Sequence, residues 1–280
     1  MDAINIVRIV LFHLLVVMNA VKKKEEVLQT AIQLSKQDHE EIVLTGIHTG
    51  RYRDGSCDLA QLLKELLECT PERIHYRISS IEITEVSDSL IQLMKENNRI
   101  CHHLHIPIQA GCNETLKRMN RPYSIEEFKE RIQWIRNEIH DISISTDVIT
   151  GFVQESEEEF EITKQNLKDI QFSFLHVFPY SKRDGTQASF MKGEINGKIK
   201  KERVNELISL SNALRENDMK RFSELNVLIE SHKNSIYMGY SDQYHSVQIT
   251  SNQPLTGRIR VHYDHIENGM YIVKEGNICD

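Results

Sequence analysis

Five times along this 280-residue chain an apolar, β-type run ends in small or polar residues. Thr45-Gly46 follows EIVL, and Ser79-Ser80-Ile81-Glu82 follows RIHYRI. Gln109-Ala110-Gly111 follows HLHIPI, Thr146-Asp147 and Gly151-Phe152 lie in ISISTDVITGF, and Phe178-Pro179-Tyr180 closes FSFLHVFPY. Gly46 and Gly111 would admit a ligand close to the backbone. Glu82 and Gln109 offer partners for hydroxyl or amino groups. Ile149, Phe152 and Phe178 offer apolar surface for a flat ring. Together they suit a nucleoside or amino-acid cofactor. The competing reading is that such residues only cap strands and turns.

Metal chemistry has a weaker signature. His102, His103 and His105 form an H-H-x-H string, and alternation along a strand puts His103 and His105 on one side, as metal ligands would be. His176 lies on a later run, and Asp147 is the one carboxylate that stands out for them. This would suit a metal-dependent hydrolase; packed or hydrogen-bonded histidines are the alternative. The five cysteines, Cys57, Cys69, Cys101, Cys112 and Cys279, are scattered with no C-x-x-C pair, so a disulfide framework is not expected and a reduced, cytoplasmic setting is. Basic groups gather at Lys198, Lys200, Lys201 and Arg203, at Lys117, Arg118 and Arg121 beside Tyr123, and at Arg258 and Arg260. These could meet phosphates or form a solvated charged face. A net charge of −7 gives no general attraction to nucleic acid, so such contact must be local.

The elements that would hold these groups alternate. Helical stripes at 25–36 and 59–67, a helix capped by Ser87, and capping boxes at Ser124/Glu127 and Ser156/Glu159 stand between the apolar runs. Repeated βα units with short connections mean parallel strands covered by helices. Five strands after Lys22 do not reach a closed barrel of eight, so the fold class expected is α/β with a partial TIM-like barrel. No G-x-G-x-x-G follows the first strand, which argues against a dinucleotide fold. A long charged helix spans about 199–222. After it come short strands at 227–230, 246–250, 257–263 and 269–274, a small all-β module about the size of an OB barrel. The domain division expected is 1–21, 22–220 and 221–280.

Residues 1–21, MDAINIVRIVLFHLLVVMNAV, differ in character from the rest. Only Asp2 precedes the apolar stretch, where a signal peptide wants basic residues. Arg8 and His13 interrupt it, and a central Arg costs roughly 2.5–3.5 kcal/mol on insertion scales. No membrane partner is expected.

Six strings in order, EIVLTGIHTGRY, RISSIE, HLHIPIQAG, LKRMNRPY, TDVITGF and FLHVFPYSKRDGT, resemble the radical SAM methylthiotransferases. Within them the resemblance is to the type that modifies threonylcarbamoyladenosine beside the anticodon of tRNA. The β module resembles the TRAM domain that ends such enzymes. The likeness covers Lys22 to about Gly276. It implies a radical SAM barrel that binds S-adenosylmethionine and a 4Fe-4S cluster, with tRNA as partner, no DNA, and a monomer. It implies that Thr45 and Gly46 meet the methionine moiety. Ser80, Glu82 and Gln109 would lie near ribose and amino-acid groups, and Val148 to Gly151 with Phe178 would flank adenine. Lys233, Arg258 and Arg260 would face RNA.

Two departures stand out. The family's N-terminal domain is absent, and so is the C-x-x-x-C-x-x-C before the first helix. Cluster irons need thiolates; no catalytic residue and no metal ligand is therefore assigned, and the chain is expected to be inactive as written. Val153-Gln154 also replaces the family's usual Pro-Gly. The missing cysteines have an explanation in the reading frame. Codons built from the last base of each residue and the first two of the next permit G-C-N-K-Y-C-S-Y-C-I-I-P-F-A-R-G across residues 1–17, the cluster motif with its flanks. The expectation is a frameshift ending near Lys22 to Lys24. A non-catalytic tRNA- or S-adenosylmethionine-binding fragment is the alternative from another class.

Overall fold

The computed structural model describes residues 8–11, 16–17 and 20–279, with side chains from Lys22 onward. Most of the anomalous 1–21 segment therefore lies outside the described residues. Its described parts are three short strands, β1 (Arg8–Leu11), β2 (Val16–Val17) and β3 (Ala20–Val21). Two compact units emerge: residues 1–105, 138–143 and 219–280 form one, and residues 106–137 and 144–218 the other. Among the described residues no helix is long and apolar enough to cross a membrane.

The first unit opens with α1 (Lys24–Ser35), whose buried Val27, Ala31 and Ser35 recur every four residues. All four residues of β4 (Glu41–Leu44) are buried, as a strand with neighbours on both sides requires. A two-residue hairpin, β5 (Arg53–Asp54) with β6 (Cys57–Asp58), leads into α2 (Leu59–Cys69). Asp58 caps that helix by accepting from the Gln61 N–H at 2.9 Å. Its Leu59, Leu62, Leu63, Leu66 and Leu67 form the buried stripe. Next come β7 (His75–Ile78), α3 (Asp88–Glu96) capped by Ser87, and β8 (His103–His105). β1, β4 and β7 make a parallel sheet in that order, and a bridge from Tyr76 to Ile100 continues the pairing toward β8.

The second unit contains α4 (Asn113–Arg118), α5 (Ile125–Glu138), β9 (Ser143–Thr150), α6 (Glu157–Ile170), β10 (Phe174–Pro179) and α7 (Gly197–Met219), apart from a few terminal residues. Both expected capping boxes form. Ser156 accepts from the Glu159 N–H at 3.1 Å while Glu159 accepts from the Ser156 N–H at 3.2 Å. Ser124 and Glu127 do the same at 3.2 and 2.7 Å. β9 and β10 pair in parallel with Asp147 opposite His176 and Ile149 opposite Phe178.

The chain then returns to the first unit as β11 (Glu224–Lys233), β12 (Ile236–Ser241), β13 (Ser246–Thr250), β14 (Arg258–His262), β15 (His265–Glu267) and β16 (Met270–Val273). They form one sheet in the order β14-β11-β12-β13-β16-β15 around a core that includes Phe222, Val227, Val247, Val261 and Tyr271. β12 and β15 were not expected from the sequence. In β12 Gly239 breaks the apolar pattern for a steric reason: a Cβ there would stand 2.1 Å from the Leu228 carbonyl oxygen, beside the β-bulge between Ile229 and Ser231.

A buried ionic network joins this β sheet to the parallel sheet within the first unit. Arg77 donates to both oxygens of Glu41 at 2.8 and 3.0 Å and to the Asp242 carbonyl at 2.9 Å. Arg258 donates to Glu41 at 3.1 Å and pairs with the Asp242 carboxylate. Glu41 and Arg77 are 1% and 3% exposed, so neither charge has water to fall back on.

Candidate functional site

A cavity of about 710 Å³ opens in the second unit. It is lined from the C-terminal halves of β9 and β10, where ligands of parallel α/β proteins bind. Alternation along β9 decides which residues reach it. Asp147 and Ile149 are half-buried and line the cavity, whereas Thr146, Val148 and Thr150 are buried. Val148, expected to flank adenine, is fully buried and meets Gln109 through a main-chain bridge. Gln109 lines the cavity from a left-handed backbone (φ 65°), held by its N–H to the Asp147 carbonyl at 2.9 Å and by the Ile149 N–H to its own carbonyl at 2.8 Å. Phe178 stands beside Ile149 across the strand pair, half exposed, and Phe152 meets Tyr180 edge-on at 4.9 Å. The wall is thus aromatic on one part and amide and carboxylate on another, suited to a flat heteroaromatic ring with polar substituents.

The turn after β9 is braced from beneath. Gly151 has φ +71°, and a Cβ would lie 2.5 Å from Lys200 Cγ. Its N–H donates to Glu155 at 2.6 Å. Burial pushes the Glu155 carboxyl up, against the Gly151 N–H and the Arg203 guanidinium, which lies 2.7 Å away. Gln154, in place of the family's glycine, also has positive φ (65°) and is tied to Gly193 and Lys192 by hydrogen bonds of 2.9 and 2.8 Å. Arg118, Arg121 and Arg183 bring positive charge to the cavity. Arg118 is clamped by both oxygens of Glu159, one contact at 2.9 Å, and this hydrogen bonding holds the Glu159 carboxyl below its usual range.

The first unit holds other residues expected at the site. Thr45, Gly46, Ser80 and Glu82 are half-buried at the ends of β4 and β7 in the first unit. Near them, Glu85 accepts from His48 at 2.9 Å and Arg51 at 2.7 Å, a cluster that sequence reasoning missed because Glu85 looks like any helix-start acid. Lys200 and Arg203, read as possible phosphate contacts, are buried in pairs with Glu194 and with Glu155 and Glu157. Arg258 points into the Glu41–Asp242 network and is only 11% exposed there. Lys233 and Arg260 remain exposed. His103 is buried and stacks on Tyr244 at 5.0 Å; burial, with Arg77 nearby, holds it neutral, well below the usual histidine range.

The cysteines do not fit an iron–sulfur cluster. Cys57, Cys101 and Cys112 are buried, and all five are free. Burial pushes the thiols of Cys57, Cys69 and Cys101 up, away from the thiolate a cluster needs. Among the described residues no three cysteines converge; the one convergent set of three metal-ligating types is Glu224, His262 and Cys279. Among the described residues neither His103 nor His105 belongs to a convergent set of three such as a hydrolase centre would need.

The profile of the Radical SAM superfamily matches residues 18–167. The chain is 39% identical over 244 residues to a protein of Bacillus subtilis named threonylcarbamoyladenosine tRNA methylthiotransferase MtaB, covering 84% of this chain and 54% of that one. It is 36% identical to the tRNA-2-methylthio-N(6)-dimethylallyladenosine synthase of Thermodesulfovibrio yellowstonii, covering 70% and 46%. The chain thus spans about half the length of the curated relatives it matches. Among solved structures, the radical SAM enzyme coproporphyrinogen III oxidase (HemN) of Escherichia coli matches 68% of this chain and 45% of its own at a TM-score of 0.53 and 14% identity, a likeness of fold alone. The fold is α/β, a partial TIM-like barrel followed by a small β module.

Proposed function

We propose that this chain, which belongs to the radical SAM superfamily, derives from a tRNA methylthiotransferase acting on threonylcarbamoyladenosine and is catalytically incompetent as written. The observation that carries the second half is the cysteine geometry. Superfamily members work with S-adenosylmethionine and a 4Fe-4S cluster, and none of the five thiols here is arranged to hold one.

Residues 22–220 would form the radical SAM barrel and residues 221–280 a TRAM-like RNA-binding module. S-adenosylmethionine is the ligand proposed for the strand ends, with Gln109, Ile149 and Phe178 at its nucleoside part. In that role Gln109 orients, and Phe178 and Ile149 exclude water from one ring face, while Glu159 fixes the Arg118 guanidinium in the wall. The tRNA would meet Lys233 and Arg260, with the protein monomeric, cytoplasmic, and without DNA or membrane partners. The segment 1–21 is the cluster loop read out of frame.

Anaerobic reconstitution with iron and sulfide tests the incompetence. Far less than one cluster per chain is expected, and a stoichiometric one would overturn it. Isothermal titration with S-adenosylmethionine and a gel shift with tRNA test the binding roles; failure of both removes the fragment's proposed partners. Resequencing the gene tests the frame. A DNA sequence without TGC or TGT codons in the shifted frame refutes that explanation.

A further inference from the structure

The β sheet of the first unit carries a convergence that the radical SAM reading does not use. β11 and β14 run antiparallel with Glu224 directly opposite His262. The terminal segment lies along the free side of β14: Val261 bridges Ile278, and the Cys279 N–H donates to the Arg260 carbonyl at 2.9 Å. Three chain segments thereby deliver one carboxylate, one imidazole and one thiol to one spot, their ligand atoms all within 4.8 Å of one another.

The histidine is already set for coordination. His262 Nδ1 lies 3.1 Å from the Ser223 carbonyl, which can only accept, so in the neutral ring Nδ1 carries the proton and Nε2 keeps its lone pair. Nε2 is 3.7 Å from Glu224 Oε2. The other carboxylate oxygen, Oε1, faces Arg260 at 3.8 Å, which leaves Oε2 on the histidine side. In a tetrahedral zinc site with ligand bonds near 2.0–2.3 Å, neighbouring ligand atoms stand roughly 3.3–3.6 Å apart. The Glu224–His262 separation is close to that edge, and with Glu224 and His262 exposed and Cys279 partly so, small side-chain rotations complete it.

We propose that Glu224, His262 and Cys279 form a zinc(II) site, with Oε2, Nε2 and Sγ as ligands and a water in the fourth position. A thiolate with an imidazole and a carboxylate is a borderline-soft donor set, which favours zinc over magnesium or calcium. Binding releases the thiol proton to solvent as the zinc–sulfur bond forms. The bound ion clips the terminal segment to β14 and covers the outer edge of the sheet.

The test is zinc titration of the full chain, stripped with chelator beforehand, against a chromogenic competitor, with cobalt(II) as a spectroscopic stand-in. One equivalent per chain is expected, with a thiolate-to-cobalt charge-transfer band. Cys279→Ser and His262→Gln should each weaken zinc binding about tenfold or more and Cys279→Ser should abolish the band. Cys69→Ser, a half-buried thiol elsewhere, should change neither. Circular dichroism shows that the variants fold, and the exposed Glu224→Gln gives an independent third ligand deletion. No binding by the parent chain, binding unaltered in the ligand variants, or a cobalt complex without the thiolate band each overturns the site.

Discussion

Replacing Glu41 with Gln is a severe test of the buried network. Glu41 receives three hydrogen bonds from two guanidinium groups, at 2.8 and 3.0 Å from Arg77 and 3.1 Å from Arg258. The amide keeps the shape but presents one acceptor oxygen and no charge, and its NH₂ group points donors at donors. Hydrogen bonds to charged groups contribute about 1.5–3 kcal/mol each. Their simple sum overstates the loss, since Asp242 still neutralises part of the charge. Breaking a buried pair from one side costs about 3–5 kcal/mol, and that is the expected destabilisation. A unit of this size shifts its melting temperature by about 2–4 °C per kcal/mol, so the drop should be roughly 6–20 °C. A thermal melt followed by circular dichroism measures the drop, and urea unfolding the free energy. The surface pair Lys198–Glu202, 3.9 Å apart and mostly exposed, supplies the control: Glu202→Gln should change stability by under about 0.5 kcal/mol. A Glu41→Gln loss below about 1 kcal/mol would refute the argument that these charges depend on one another.

Other expectations are more local. Gly239→Ala should destabilise the β module by about 3 kcal/mol, because the added methyl group meets backbone rather than a movable side chain, while Gly276→Ala, with open space around it, should be neutral by the same melt. His75 is pushed down to about 4, chiefly by burial and then by Arg258. The unfolded chain takes up that proton near the ordinary value of 6.5 and the folded chain only near 4, so stability should hold above pH 6.5 and fall as pH drops from 6.5 to 4. A His75→Asn variant with an unchanged slope over that window would contradict the assignment. Under native conditions a thiol reagent should modify the partly exposed Cys69 and Cys279 faster than the buried Cys57, Cys101 and Cys112; equal labelling of all five would be inconsistent with this packing.

Much of the α/β pattern is legible from local rules. The Ser156–Glu159 and Ser124–Glu127 boxes and the leucine stripe of α2 need no tertiary knowledge, because each is satisfied within a turn or two of its own helix. Strand ends brought Gln109 and Phe178 to the cavity wall, since the rule depends only on parallel topology. What stayed illegible depends on register between distant segments. Arg258 reads as a surface cation until β14 is paired with β11 and Glu41 is found beneath it, 217 positions earlier. Lys200 and Arg203 look solvated until Glu155 and Glu194 are placed. Val148 differs from Ile149 by a single step of the strand, and that step turns it from the cavity into the core. Glu224, His262 and Cys279 share no local motif at all; only the pairing of β11, β14 and the terminal segment brings them together.

The Arg77–Glu41–Arg258–Asp242 network also orders events during synthesis. Strands β4 and β7 leave the ribosome early, yet the groups that satisfy Arg77 include main-chain oxygens of residues 241 and 242. Until those residues emerge, the nascent parallel sheet holds an ion pair that lacks part of its hydrogen-bonding shell. Such long-range closure slows folding and prolongs exposure of apolar strands. The β module therefore acts as the last stone of an arch: the charges on β4 and β7 are made early and fully satisfied late.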